Sequence, residues 1–169
     1  SKLHIVTDAT GTYSSTISSI KHKIGGTEYT AKADYTSGFI TVSGDIDIVT
    51  TVTDSRGRTA SKTTTITVYA YDAPKITKLT AIRCGEGGAV NNNGTYVKVS
   101  MAFSVSPVNN KNAKSYQLEY KTASDDTYTK IVSGNTYSYD DVYITGSTFL
   151  AANSYDIRLV VADSFTESE

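Results

Sequence analysis

Polar and apolar residues alternate along most of this chain, and the spacing of three to four residues that marks an amphipathic helix is almost absent. The stretch 45–53 shows the pattern, since Ile46, Ile48 and Val52 fall on one face and mostly polar residues fall on the other. Successive side chains of a strand point to opposite faces of a sheet, so one face here can pack in a core while the other meets water. The pattern predicts a β-strand at 45–53 and an all-β fold for the chain.

Turn signals separate the alternating stretches. Gly57 lies in the turn 54–58, where it can adopt a positive φ, and alternation resumes over 62–69, which predicts a β-hairpin. Short strands separated by turns at intervals of roughly 8–12 residues are typical of a β-sandwich. Further strands are predicted at 75–84, 96–105, 115–121, 128–132, 136–144 and 154–162.

A proline and an internal repeat divide the chain into two modules. Pro74, in the segment 71–74, breaks the alternation because proline lacks the backbone N–H that a strand donates. The tetrapeptide Val-Thr-Asp-Ser at 52–55 recurs as Val-Ala-Asp-Ser at 161–164, 109 residues later, and the apolar positions before it also match. We therefore predict two tandem antiparallel β-sandwiches, over residues 1–72 and 73–169.

The two copies of the repeat differ at their ends. The first copy has a predicted strand after the repeated turn, at 62–69, whereas none is predicted after the turn of the second copy. The second copy opens with the strand 75–84, for which the first shows no counterpart. We expect the first module to lack its opening strand and the second its closing strand, as in a window cut from a longer tandem array. Alternatively, a partner chain supplies the missing strand by β-augmentation.

Composition narrows the range of functions. The formal net charge is −1, with 16 basic and 17 acidic residues, which disfavours binding to a nucleic-acid backbone. No apolar run approaches the roughly 18 residues of a membrane helix, so we expect no membrane partner. The single cysteine, Cys84, excludes an internal disulfide framework, and with only two histidines most His/Cys metal sites are excluded as well.

The residues that could carry catalysis are sparse. A catalytic triad needs a base in contact with its nucleophile, and the only histidines are His4 and His22. The acidic pairs 125–126 and 140–141 are adjacent in sequence, so in an extended chain their members point to opposite faces and do not form a dyad. The acidic residues at 45 and 47 match no calcium-loop pattern. We expect no enzyme, no catalytic residue, no metal and no cofactor.

One polar stretch rich in tyrosine suggests a contact surface for carbohydrate. Sugars stack on aromatic rings, while carboxylate and amide groups bond their hydroxyls. The alternative is that some tyrosines of the chain, Tyr116 and Tyr155 above all, belong to the core or to a corner, and that the rest are strand-forming residues on a wet face. The absence of tryptophan also disfavours sugar binding. The candidate contact residues are Tyr128, Asn135, Tyr137, Tyr139, Asp140, Asp141 and Tyr143.

The second module resembles a fibronectin type III domain. The run 116–121, Tyr-Gln-Leu-Glu-Tyr-Lys, is similar to the third strand of that family, and 155–159, Tyr-Asp-Ile-Arg-Leu, is similar to its sixth. Phe149 and Leu150 precede this strand, and the resemblance implies a tyrosine corner, in which an aromatic hydroxyl bonds an upstream backbone group. The resemblance implies a fibronectin type III-like sandwich over 73–169 beside an Ig-like one over 1–72.

At a finer level the chain resembles the tandem Ig-like modules of minor structural tail proteins from siphophages of Gram-positive bacteria. The segments that carry the likeness are 51–60, with its Asp-Ser-Arg-Gly-Arg motif, 73–77, 110–116 and 155–165. The resemblance implies a virion component of the phage tail or baseplate, assembled in the bacterial cytoplasm, where a reduced Cys84 would persist.

The function expected from this resemblance is structural. The chain would act as a semi-rigid spacer that presents a host-binding element, with other tail or baseplate subunits as partners. One alternative is a module that binds cell-wall polysaccharide of the host, and another is a fragment of a bacterial surface adhesin. A binder should expose an aromatic patch with convergent polar groups, whereas a spacer should bury its aromatic side chains or scatter them.

Overall fold

The computed structural model describes residues 2–169, which form antiparallel β-strands joined by turns and loops, with no helix among them. The chain divides into two compact units; the first ends at Ala70 and the second begins at Tyr71. The strands of the first unit are β1 (His4–Val6), β2 (Ile17–Ile24), β3 (Thr27–Ala31), β4 (Asp34–Thr36), β5 (Gly44–Asp54) and β6 (Thr59–Val68). Those of the second are β7 (Lys75–Cys84), β8 (Tyr96–Ser104), β9 (Lys114–Thr122), β10 (Thr129–Gly134), β11 (Ser138–Ile144), β12 (Tyr155–Asp163) and β13 (Glu167–Ser168).

The first unit packs a two-stranded layer on a four-stranded sheet. The sheet has the order β3-β2-β5-β6, and the layer is formed by β1 and β4. Its buried core is small and consists of Ile24, Ile46 and Ile48, against which Leu3 and Ile5 pack from the opposite layer. The inward face predicted for 45–53 reaches the core at Ile46 and Ile48, whereas Thr50 and Val52 on the same face are half-buried.

The second unit packs three strands on four. One sheet has the order β10-β9-β12-β13 and the other β11-β8-β7, which is the architecture of fibronectin type III-like sandwiches. Its core draws on both sheets and contains Val97, Val99, Met101, Phe103, Val105, Leu118, Phe149, Leu159 and Val161. The predicted fold class, all-β with two antiparallel sandwiches, is confirmed.

The six strands of the first unit correspond in order to β8 through β13 of the second. The four-stranded sheets match strand for strand, and the pair β1–β4 matches β8–β11. The register agrees as well, because Thr7 N donates to Ala33 O as Val105 N donates to Tyr137 O, both at 2.7 Å. Among residues 2–70 no strand corresponds to β7.

The expectation that the second module lacks a closing strand needs correction. A closing strand of two residues, β13, pairs with β12, Ser168 facing Val161. It forms because the turn after Asp163 reverses the chain: Asp163 N donates to Thr166 O at 2.9 Å. The sequence signal was weak because so short a strand shows no alternation.

The repeated aspartate organises the same turn in both units. Asp54 Oδ1 accepts hydrogen bonds from Arg56 N and Arg58 N, both at 2.9 Å. In the second unit, Asp163 Oδ1 accepts from Phe165 N at 2.7 Å and from Thr166 N at 2.8 Å. A carboxylate that satisfies two turn amides selects aspartate at both positions, which is the physical origin of the repeat.

The ionised form of Asp54 is the one that this turn favours. Burial by itself raises the pKa of the carboxyl, but the hydrogen bonds from the Arg58 backbone and side chain, and from Arg56 N, outweigh burial and lower the pKa to about 2. Arg58 Nη2 also lies 2.6 Å from Asp54 Oδ2.

Asp54→Asn should reduce the loss of stability in acid. Because the folded-state pKa lies below that of the unfolded chain, the carboxylate stabilises the first unit fully above about pH 4 and progressively less as pH falls toward 2. The variant should be less stable than the parent at pH 7 and show a shallower decline between pH 4 and 2. Urea unfolding across this range measures both, and Asp8→Asn is the matched control. An unchanged acid slope would contradict the assignment.

Candidate functional site

Two of the predicted contact tyrosines pack against the core of the second unit. Tyr139 and Tyr143 lie on the inner side of β11 and are partly buried. The Tyr139 ring stacks on Phe103 at a centroid distance of 6.0 Å and contacts Tyr116 at 5.8 Å. Burial, together with the negative charge of Asp141, raises the pKa of Tyr139. The stacked ring of Tyr139 is therefore used in packing rather than offered to a ligand.

Tyr137 is also occupied by contacts within the unit. Its hydroxyl donates to Asn112 O at 2.9 Å, and Lys114 Nζ lies 3.7 Å from its ring centroid. The hydrogen bond ties the start of β11 to the loop before β9, and the cation covers one ring face. A sugar would have to displace the lysine to stack there.

Tyr128 lies beside the other sheet. Its ring contacts Arg158 of β12, with the guanidinium carbon 4.0 Å from the ring centroid, and Lys121 of β9 at 5.3 Å. Arg158 in turn pairs with Glu119 at 2.8 Å and with Glu169 at 2.9 Å. This cluster joins strands of the four-stranded sheet and is separate from the β11 tyrosines.

The three polar candidates are Asp140, Asp141 and Asn135. Asp140 and Asp141 are exposed on β11, and Asp141 Oδ1 accepts from Val142 N at 2.7 Å. In the orientation that satisfies its amide, Asn135 donates to the carbonyls of Lys114 and Gly134, both at 3.1 Å. The seven candidates are thus distributed over both sheets and partly in the core, and the structure does not gather them into one exposed patch.

The most heavily bonded side chain at the surface of the second unit, Arg83, was not among the candidates. Its guanidinium donates to four backbone carbonyls, at distances between 2.7 and 3.1 Å. It also lies over the Tyr155 ring, 5.7 Å from the centroid. The carbonyls belong to Gly94, Phe149, Leu150 and Asn153.

The tyrosine corner implied by the family resemblance lies next to this arginine. The Tyr155 hydroxyl accepts from Leu150 N at 3.0 Å. Phe149 is 1% exposed; its ring packs edge-on against Tyr155 and at a tilt against Tyr120, with a centroid distance of 4.9 Å in each pair. Arg83 and Tyr155 together hold the loop that leads into β12, so these residues have a structural role.

The first unit carries a polar pair where the second carries two leucines. His22 faces Thr50 across β2 and β5, as Leu118 faces Leu159 across β9 and β12. His22 is 0% exposed; its Nδ1 lies 2.9 Å from Thr50 Oγ1, and its Nε2 has no hydrogen-bond partner among the described residues. Burial lowers the pKa of His22, so it is neutral in the folded unit at pH 7.

Acidification should destabilise the first unit through His22. The lowered folded-state pKa means that the unfolded chain binds the proton more readily, so stability is full above about pH 6.5 and decreases as pH falls below that value. His22→Leu should flatten this pH dependence between pH 6.5 and 5. Amide exchange in β2 and β5 reports opening of this unit, and His4→Gln is the control. The assignment fails if the dependence persists in the His22 variant.

The described residues contain no convergent metal-ligand group. Among residues 2–169, no set of three or more His, Cys, Asp and Glu side chains comes together. Asp45 and Asp47 accept hydrogen bonds from Thr67 at 2.7 Å and Thr65 at 2.6 Å, on the outer face of the β5–β6 hairpin. None of the described residues belongs to a helix long and apolar enough to cross a membrane.

Comparison with known proteins gives a family and a distant structural likeness. A family model described as "Siphovirus protein of unknown function (DUF859)" matches residues 2–169. No curated protein matches the chain. Among solved structures, a crystal structure of titin domains is similar with a TM-score of 0.39 and 12% identity, covering 89% of this chain and 50% of the titin chain. The chain thus spans half the length of that titin fragment.

Proposed function

This chain belongs to the siphovirus protein family DUF859, and we propose that it is a structural module of the phage tail or baseplate, acting as a semi-rigid spacer. The observation that carries the proposal is that the candidate tyrosines make contacts within the second unit. Tyr139 and Tyr143 pack against the core, Tyr137 bonds a backbone carbonyl, and Tyr128 stacks on an arginine. Side chains that would serve a binder are engaged in holding the sandwich together, as a mechanical element requires.

The segment ahead of β7 is held by contacts within the second unit, which supports a spacer role. The Tyr71 ring packs edge-on against Phe165 at 5.0 Å, and its hydroxyl lies 3.3 Å from Thr166 Oγ1. Asp72 N donates to Ser106 Oγ at 2.8 Å. With Pro74 next, residues 71–74 are bonded within the second unit before β7 begins, which limits the freedom of this segment.

Purified virions of a siphophage that encodes this chain give the direct test. We expect mass spectrometry to find the chain in intact particles and immunogold labelling to mark the tail or its tip. Absence from virions, or labelling confined to the capsid, would overturn the proposal. A tail protein unrelated to this family provides the positive control for labelling.

Host binding is tested separately with exposed aromatic residues. Alanine at Tyr137, Tyr139 or Tyr143 would report on folding, because these rings pack inside the unit. The informative variant replaces Tyr13 and Phe39 with serine, since these rings are 82% and 74% exposed. A fluorescent form of the chain should bind neither Gram-positive cells nor their wall polysaccharide. Saturable binding that this variant abolishes would favour a cell-wall-binding module instead.

A further inference from the structure

Within residues 2–169, β1 has one edge without a partner strand. It pairs with β4 alone in a two-stranded sheet. Thr7 N donates to Ala33 O just beyond the pair, which directs the backbone groups of odd-numbered residues in this stretch toward β4. Because backbone groups alternate between the two edges of a strand, those of His4 and Val6 point to the open edge.

A groove of about 490 Å³ lies beside this edge. Residues 5–9 form one wall, Lys62 and Thr64 of β6 form the other, and Thr50 and Val52 of β5 lie on its floor. The groove thus runs over the inner face of the β5–β6 hairpin, where the two-stranded layer does not reach.

The second unit shows what covers this face in the complete arrangement. Thr50 and Val52 are half-buried, whereas Leu159 and Val161, their counterparts on β12, are 1% and 0% exposed. The difference arises because β8 is longer than β1 and has β7 as a second neighbour. The same sheet face is therefore sealed in one unit and open in the other.

The start of β7 occupies the place that corresponds to the groove. Lys75 pairs with Ser104 and Ile76 with Phe103, and Ile76 packs against the core. By the register shared between units, Ser104 and Phe103 correspond to Val6 and Ile5, which line the groove. A strand of the β7 type laid along β1 would bring its apolar residue over the exposed floor.

We propose that the groove receives an opening strand of the β7 type, carried by polypeptide ahead of β1 and paired antiparallel with its open edge. The strand supplies partners for the backbone groups of His4 and Val6 and places a β-branched apolar side chain over Thr50 and Val52. The first unit then has the same three strands on four as the second. This inference goes beyond the spacer role and does not depend on it.

Grafting the missing strand onto the full chain tests the proposal. Residues 73–99 are joined ahead of Lys2, which corresponds to Ser100 in the shared register, so that β7 and its loop precede β1. A matched control carries the same graft with Ile76→Asp and Lys78→Pro, which removes the apolar contact and one backbone donor. Amide hydrogen exchange of His4 and Val6 is measured by NMR in both chains and in the parent.

The expected result is slower exchange at both amides by at least tenfold in the grafted chain and parent-like exchange in the control. Unfolding of the first unit in urea should shift to higher denaturant in the grafted chain only. Equal exchange in graft, control and parent would overturn the proposal. Slower exchange in graft and control alike would also overturn it, because lengthening the chain would then suffice.

Discussion

Replacing Leu118 with alanine is expected to destabilise the second unit by about 2–5 kcal/mol, the range for deleting a fully buried leucine side chain. Leu118 is 0% exposed and lies at the centre of β9, opposite Leu159 of β12. The loss combines the transfer free energy of the deleted methyl and methylene groups with the cost of the cavity that they leave. Both sheets contribute to the core around it, so neither sheet can close the cavity by itself.

Urea unfolding of the second unit, followed by NMR signals of β9 and β12, measures this loss. Gln117→Ala on the same strand is the control, because Gln117 is exposed and its truncation should change stability by less than about 0.5 kcal/mol. The first unit should unfold at the parental denaturant concentration in both variants. A loss below about 1 kcal/mol for Leu118→Ala would show that the core relaxes around the site.

Replacing Arg83 with methionine should destabilise the second unit by about 2–4 kcal/mol. Hydrogen bonds from a charged donor are worth more than neutral ones, and the carbonyls of the buried residues Gly94 and Phe149 would lose this donor. The four acceptors come from two separate loops and lie up to 70 residues away in sequence. Arg83 therefore joins the loop before β8 to the loop before β12. Without it, the ring of Tyr155 also loses the cation above it.

Lysine at this position separates charge from geometry. An ammonium group keeps the positive charge but cannot direct donors to four carbonyls in the plane of a guanidinium, so Arg83→Lys should recover only part of the loss. Arg56→Met is the matched control, because Arg56 Nη2 donates to a single carbonyl, that of Tyr13, in an exposed turn of the first unit. If urea unfolding shows equal stability for the methionine variant and the parent, Arg83 does not hold the two loops together.

The central strands of the second unit were predictable because each of them buries one face. Alternation at 96–105 and 154–162 gave β8 and β12 to within a residue or two, since Val97, Val99, Leu159 and other inward residues are apolar without exception. In the first unit the pattern was weaker. β2 was not predicted, because it places the polar His22 on its inner face. β6 is exposed over most of its length, and the predicted strand at 62–69 missed its first three residues.

The candidate site shows the limit of reasoning from composition. Tyr137, Tyr139 and Tyr143 are separated by even intervals, which is the spacing of one strand face and a signal of packing. The polar residues interleaved with them suggested a wet surface, whereas they occupy the outer face and the margin of an edge strand. No sequence pattern indicated the role of Arg83, because its partners are backbone carbonyls, which every residue carries.

Cys84 closes β7 and is the single thiol of the chain, with 0% of its surface exposed. Because the thiol is shielded, a thiol-reactive dye can modify it only after β7 separates locally from its neighbours. The rate of labelling in water then reports how often this end of β7 opens, with no denaturant and no substitution. Cysteines introduced on the surface of either unit should react before the buried Cys84. Handles for optical-tweezer pulling can therefore be attached at chosen positions.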